Sequence, residues 1–260
     1  MSLYFILITL YFVLDTRYSL IMVKLSVNIN KIATLRNARG GNYPDLLKAA
    51  RDIQRFGADG ITVHPRPDER HIRIKDVYGL KPVVYTEFNI EGYPSKQFLE
   101  LIKEICPTQA TLVPDLPDVL TSNAGWNTKR EKSFLTDCIA KLHESNVRVS
   151  LFVSPDAEVI RHAKEAGADR VELYTENYAK EFSSDPEHAI APYANAAKYS
   201  GEIGIGLNAG HDFNLHNLKY FCDNIPSLLE VSIGHALIGD ALYFGLENTV
   251  QLYLRQLKKA

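Results

Sequence analysis

Gly60-Ile-Thr-Val-His-Pro-Arg-Pro-Asp-Glu-Arg-His71 is the stretch that decides the fold of this chain. Its apolar run, Gly60–Val63, stops at a histidine, and Arg66, Arg70 and His71 follow close behind. Proline has a fixed φ and no N–H to donate, so Pro65 and Pro67 bar helix and ladder alike and force the charged groups into a loop beyond a strand end. A buried strand that delivers acid/base and anion-binding groups to the loop after it is how parallel barrels place their chemistry.

The same layout recurs along the chain. Short β-branched runs lie at residues 25–29, 60–63, 82–86, 110–113, 147–153, 170–174, 203–207 and 229–233, separated by helix-compatible segments or longer loops. Continuous apolar character suits strands buried on both faces of a parallel sheet. Eight such runs predict one α/β domain, a closed (β/α)8 TIM barrel. Phe56-Gly-Ala-Asp-Gly60 and Ala166-Gly-Ala-Asp-Arg170 each follow an amphipathic segment (45–56 and 156–166) and precede a run, the pattern of a glycine that ends a helix. Ser154, followed by Pro155 and acidic residues, is the expected cap of the second of these helices. A doubly wound open sheet would need a glycine-rich turn after the first run, and Asn28-Ile-Asn-Lys-Ile-Ala-Thr-Leu-Arg36 has none.

Composition is that of an ordinary globular domain. The 260 residues are 46% hydrophobic and 23% charged, without a low-complexity tract or Gly/Ser-rich linker. With 29 Lys+Arg against 31 Asp+Glu there is no general basic field, which argues against nucleic acid and acidic membranes as partners. Cys106, Cys138 and Cys222 are widely spaced and lack metal-ligand spacing, so they are expected to be reduced thiols in the cytoplasm, with no metal bound. Residues 1–22 open with an apolar stretch too short to span a bilayer, without a basic start or an Ala-x-Ala cleavage site. They are expected to be an extension outside the native fold, with residues 23–260 forming the barrel.

If the barrel closes, the polar residues at the run ends converge on one face: Asn28, Asn30, His64, Glu87, Asp115, Ser154, Glu172, Asn208 with His211, and Gly234 with His235. A strand end needs some polar residue merely to meet water, so no single member is diagnostic. The combination of three proton carriers, His64, Glu87 and His211, indicates a site. Glu87, after Val83-Val-Tyr-Thr86, is expected to be a carboxylate whose pKa is raised by an apolar setting. Two segments suit phosphate. Leu35-Arg-Asn-Ala-Arg-Gly-Gly41 reads as a loop with two arginines and paired glycines, able to bring guanidinium groups and close backbone to a phosphate, and Gly234-His235 open a helix after the eighth run, where free N–H groups favour an anion.

Four blocks in register, Val27 to Gly40, Gly57 to Arg66, Asn208-Ala-Gly-His211 and Ile233 to Gly239, resemble the pyridoxine 5'-phosphate synthase family. The resemblance runs from about residue 23 to the end. It implies a TIM barrel with additional helices, a cytoplasmic homo-oligomer (an octamer) and no cofactor. The implied reaction joins 1-deoxy-D-xylulose 5-phosphate to 3-amino-2-oxopropyl phosphate, giving pyridoxine 5'-phosphate, phosphate and water. By similarity His64 and Glu87 accept protons and His211 donates one. Asn28, Arg39, Gly234 and His235 would contact the amino-ketone phosphate; Arg66, His71 and Thr121 would contact the deoxyxylulose phosphate, Thr121 from a long loop that closes as a lid.

The chain departs from the family at two places. Asn30-Lys31 stands where familiar members carry Asp-His, which makes a Lys31 contact to phosphate the expectation, and Asp212 follows the donor histidine where glycine is usual. Asp212 is expected either to orient His211 or to point to solvent, and a backbone contact to substrate can survive the substitution. A phosphosugar isomerase or aldolase barrel would use similar residues, the aldolase with a Schiff-base lysine. A non-enzymatic phosphate-binding module would have no use for three proton carriers.

Overall fold

A computed structural model describes residues 22–114 and 125–258. Eight parallel strands close in sequence order: β1 (Lys24–Asn28), β2 (Gly60–Val63), β3 (Glu87–Gly92), β4 (Gln109–Leu112), β5 (Arg148–Val153), β6 (Arg170–Tyr174), β7 (Gly206–Gly210) and β8 (Leu228–Ile233). Among the described residues the helices are α1 (Asn30–Asn37), α2 (Leu46–Arg55), α3 (Ile74–Leu80), α4 (Lys96–Ile105), α5 (Lys132–His143), α6 (Ala157–Glu165), α7 (Glu176–Glu181), α8 (Pro186–Ile203), α9 (Leu218–Asn224), α10 (His235–Phe244) and α11 (Leu246–Gln256). The expected (β/α)8 barrel with additional helices is present.

The strands alternate. Leu25 and Val27, Ile61 and Val63, Phe88 and Ile90, and Val171 and Leu173 are buried apolar positions that belong to the core packed under the helices. The positions between them are polar and fill the barrel in tiers. In the middle tier Ser26 and Thr62 share a hydrogen bond of 2.7 Å, and Asn89 links Thr62 at 3.3 Å to Gln109 at 3.3 Å and Thr111 at 2.9 Å. Side-chain period 2 thus turns one face to the helices and the other to a polar axis.

This alternation corrects the position of the third strand. The apolar run 82–86 precedes β3, which begins at Glu87 and pairs Glu87 with Gly60 at the amino end of β2. Glu87 therefore stands at the end of the barrel opposite His64, in a lower tier of charge. It bonds Lys24 Nζ at 3.1 Å and pairs with Arg148, while Arg170 lies 3.6 Å from Glu230. Burial lowers the pKa of Arg148 and Arg170 and raises that of Glu230. The seventh strand likewise begins later than the run 203–207, because Ile203 closes α8 and Gly204 caps it in the left-handed region.

The Gly-Ala-Asp repeats behave as expected and do more. Gly57 (φ +103°) and Gly167 (φ +97°) end α2 and α6. The aspartates that follow reach back to the preceding strand: Asp59 accepts the Leu25 N–H at 3.0 Å and Asp169 the Val149 N–H at 2.7 Å. The cap of α6 is Asp156, which accepts from Glu158 and Val159 N–H at 2.8 and 3.0 Å, and not Ser154. Pro155 lies ahead of that cap, so the helix begins two residues later than its prolyl signature suggests.

Candidate active site

A cavity of about 550 Å³ opens at the carboxyl ends of the strands. Asn28 (the last residue of β1), Asn30 and Lys31 (the first turn of α1), His64, Arg66, Arg70 and His71 (after β2), Glu91 (β3), Glu172 (β6), His211 and Asp212 (after β7), and Gly234 with His235 (after β8) line it. The barrel thus gathers residues that lie far apart in the chain.

His64 is held from its backbone. Its N–H donates to Asn30 Oδ1 at 3.0 Å, and the Asn30 N–H donates to Asn28 Oδ1 at 3.0 Å, so the two asparagines fix the exit of β2 against that of β1. The imidazole is buried with Nδ1 3.9 Å from Glu91 Oε2, and Asn28 Nδ2 approaches the same oxygen at 3.4 Å. Burial, then the positive charges of Arg66 and neighbouring groups, push the His64 pKa down to about 3. It is a neutral ring, the unprotonated form that a proton acceptor needs. Burial next to Arg66 and Lys31 lowers His71 to about 4, and its Nδ1 accepts the Ile72 N–H at 2.9 Å. The proton of neutral His71 is therefore on Nε2, which makes it a hydrogen-bond donor without charge.

The loop that carries Arg66 and His71 rests on a buried ion pair. Arg36 meets Asp76 in a two-pronged contact at 2.7 and 2.8 Å and donates to the His71 carbonyl at 3.2 Å, while Asn37 Nδ2 reaches the same carbonyl at 2.8 Å. The first three residues of segment 35–41 therefore close α1, and the buried arginine among them is structural. Arg39 follows in an exposed turn and does not line the cavity, contrary to expectation, because the helix end carries it into solvent.

Across the mouth, His211 Nδ1 is 2.8 Å from Asp212 Oδ2. Burial works against a charged ring here, yet the Asp212 carboxylate outweighs it, with Glu91 and Glu176 adding to the field, and the His211 pKa is raised. On the floor, the buried Glu172 has its pKa raised by burial and by the neighbouring carboxylates Glu91 and Glu230. Its carboxylate occupies the space that a side chain at position 210 would need, so Gly210 is required there. Gly234 is similarly confined: a Cβ would lie 3.1 Å from Asn28 Cβ.

Most expected site residues thus meet in one cavity; Glu87 and Arg39 do not, and Thr121 and Asp115 lie outside the described residues. Glu91 takes the place expected of Glu87. Its signal was the alternation Glu87-Phe-Asn-Ile-Glu91, legible only to a reading that allows a polar barrel interior. Arg70 pairs with Asp68 at 2.6 Å and also lines the cavity. Among the described residues no group of three or more His, Cys, Asp or Glu side chains is placed to hold a metal ion.

A family model described as "Pyridoxal phosphate biosynthesis protein PdxJ" matches residues 25–259. The chain belongs to the PdxJ family. Pyridoxine 5'-phosphate synthase of Bacteroides fragilis is 62% identical over 232 residues, 89% of this chain and 98% of its own. Those of Cytophaga hutchinsonii (61%, 92% of this chain and 100% of its own) and Flavobacterium johnsoniae (56%, 91% and 100%) are similarly close. Distant structures share the barrel alone. Tryptophan synthase from M. tuberculosis matches at TM-score 0.63 with 13% identity, covering 95% of this chain and 97% of that one. 3-Keto-L-gulonate-6-phosphate decarboxylase from Vibrio cholerae matches at 0.61 with 10% identity, covering 91% and 97%.

Proposed function

We propose that this chain is a pyridoxine 5'-phosphate synthase, condensing 1-deoxy-D-xylulose 5-phosphate with 3-amino-2-oxopropyl phosphate by general acid/base catalysis. The observation that carries this reading is the convergence of a neutral histidine, a carboxylate and a carboxylate-paired histidine in one cavity with two anion-binding regions. Amine attack on a ketone, loss of water, elimination of phosphate and ring closure are successive proton transfers, each needing a positioned acid or base. His64 and Glu91 act as acceptors and His211 as donor. Glu172, whose pKa is raised by burial and neighbouring carboxylates, keeps a proton in reserve on the floor.

Two phosphates must be held at once. Gly234 and His235, at the amino end of α10 beside Asn28, suit the amino-ketone phosphate, where helix N–H groups favour an anion. Arg66, His71 and Lys31 suit the other, Arg66 and Lys31 by charge and His71 as a neutral donor. Asn30 spends its side-chain carbonyl on the His64 backbone, so Lys31 carries the substrate contact of that pair. Thr121, which follows β4 in the sequence and lies outside the described residues, completes this phosphate site in the proposed reading.

Phosphorylated substrates are retained within cells, and Cys106, Cys138 and Cys222 form no disulfide, which supports a cytoplasmic location. No helix among the described residues is long and apolar enough to cross a membrane. A homo-oligomer, octameric by family resemblance, is supported by the exposed Leu242, Tyr243 and Phe244 at the end of α10. Incubating the purified protein with both substrates and following pyridoxine 5'-phosphate by its ultraviolet absorbance tests the function. Product is expected; none across a range of pH and concentration defeats the reading.

A further inference from the structure

His211 sits in a turn gripped from both sides. Its φ is +98°, a region that side chains other than glycine rarely adopt. Thr175, fully buried at the end of β6, donates its hydroxyl to the Gly210 carbonyl at 2.6 Å and accepts the Asp212 N–H at 3.1 Å, so one side chain bridges the residues flanking His211. Asn217 Nδ2 donates to the Asp212 carbonyl at 3.3 Å, and the Asn217 carbonyl is itself fixed by the Tyr178 hydroxyl at 2.6 Å. The His211 ring stands edge-on to Tyr174, centroids 5.5 Å apart. Backbone strain of this kind persists only where the surroundings over-determine it.

The ring needs the same care. The His211 side chain is 39% exposed, and among the described residues its ring is held by the 2.8 Å contact from Nδ1 to Asp212 Oδ2. We propose that Asp212 is a positioning residue: its carboxylate holds Nδ1–H of a charged His211 ring and leaves Nε2–H turned into the cavity, ready to donate. This rests on the reading of His211 as the proton donor. In that step the Nε2 proton passes to a departing substrate hydroxyl, whose C–O bond breaks with its electron pair on oxygen, and water leaves. Nδ1–H stays on Asp212, and the neutral ring is recharged from solvent at its exposed edge.

Other groups share the field. Glu91 faces the ring across the mouth, Tyr174 and Glu172 come from β6, Glu176 from the start of α7, and His235 from α10. Of these only Asp212 is in hydrogen-bond contact with Nδ1, so neutralising it alone isolates its effect.

The test has two independent arms on the full chain. In the first, His211 is titrated by NMR in protein carrying labelled histidine, in wild type and Asp212→Asn, with His211→Gln used to assign its resonance. The asparagine is expected to lower the midpoint by about one pH unit, the loss of one adjacent carboxylate at a partly exposed ring; an unchanged midpoint overturns the proposal. In the second, the alkaline limb of the kcat profile is expected to move down by a similar amount, with KM for both substrates little changed and Asp212→Glu restoring much of the shift. A lowered midpoint with an unmoved alkaline limb would show that Asp212 orients the ring but that His211 is not the donor, and so overturns the role proposed here. If Asp212→Asn loses the fold by circular dichroism, the same two measurements on Asp212→Ser decide, because any neutral side chain at 212 must lower the midpoint if the carboxylate sets it.

Discussion

Lys31 lies one residue into α1, in the same cavity as Arg66 and His71, and its charge is among those that depress the His71 pKa. In the proposed reading Lys31 faces a substrate phosphate rather than a reacting carbon, so its loss should appear in binding. Lys31→Ala is expected to raise KM for 1-deoxy-D-xylulose 5-phosphate about tenfold, the worth of one ionic hydrogen bond, with kcat nearly unchanged. Steady-state kinetics with each substrate varied in turn will show whether the effect is confined to that one. An unaltered KM removes Lys31 from the phosphate site, and borohydride trapping of an enzyme adduct at Lys31 would replace condensation with aldolase chemistry. At this scale much was legible in the sequence: His64 interrupts an apolar run, and Gly234-His235 open a helix after another. Arg39 and Arg36 were not distinguishable, because burial of one and exposure of the other depend on where α1 ends and on Asp76, forty residues away.

The register of β3 decides which glutamate reaches the cavity. Placed by its alternation, Glu91 reaches the cavity beside His64, and Glu87 lies at the far end of the barrel with Lys24 and Arg148. Glu91→Gln is expected to cut kcat by about 10²–10⁴, the usual worth of a general base, with little loss of thermal stability. Glu87→Ala should do the reverse, costing about 1–3 kcal/mol of stability because the half-buried Arg148 loses its carboxylate partner, while kcat of the folded fraction holds. Paired turnover and denaturant-melt measurements separate the two; loss of kcat with Glu87→Ala at unchanged stability would restore the first reading of that residue. The buried Arg36–Asp76 pair joins α1 to α3 beneath the loop that bears Arg66 and His71. Asp76→Ala should likewise cost about 3–5 kcal/mol, and the loosened loop should weaken phosphate binding, as phosphate titration by calorimetry can show. The helix-ending Gly-Ala-Asp repeats were readable because cap geometry is local. The strand boundary was not, because apolar continuity marks buried strands only when both faces meet apolar neighbours, and this barrel has a polar axis.

Closure of eight strands creates that axis and with it a set of opposed titrations. The barrel itself was legible from eight runs in order; what fills it was not, since the tiers arise only when alternate residues of distant strands meet. His64 and His71 are buried neutral, with pKa values lowered to about 3 and about 4, while burial and neighbouring carboxylates raise Glu172. The signs differ. An unfolded histidine takes up a proton below about pH 6.5, which the folded ring refuses until its own lower value, so each histidine withdraws stability as pH falls through that window. A carboxyl with a raised folded pKa keeps a proton that the unfolded chain has lost, so Glu172 withdraws stability as pH rises above about 4.5. His71→Asn should therefore gain on the wild type as pH falls from about 6.5 to 4, by up to about 1.4 kcal/mol per pH unit. Glu172→Gln should gain on it in the opposite direction, as pH rises from 4.5 towards neutrality. Urea unfolding of the three proteins at pH 4.5, 5.5 and 7 gives both differences directly. Parallel, pH-independent offsets would mean that neither group is held in the protonation state assigned to it, and would remove neutral His71 as the donor to the deoxyxylulose phosphate.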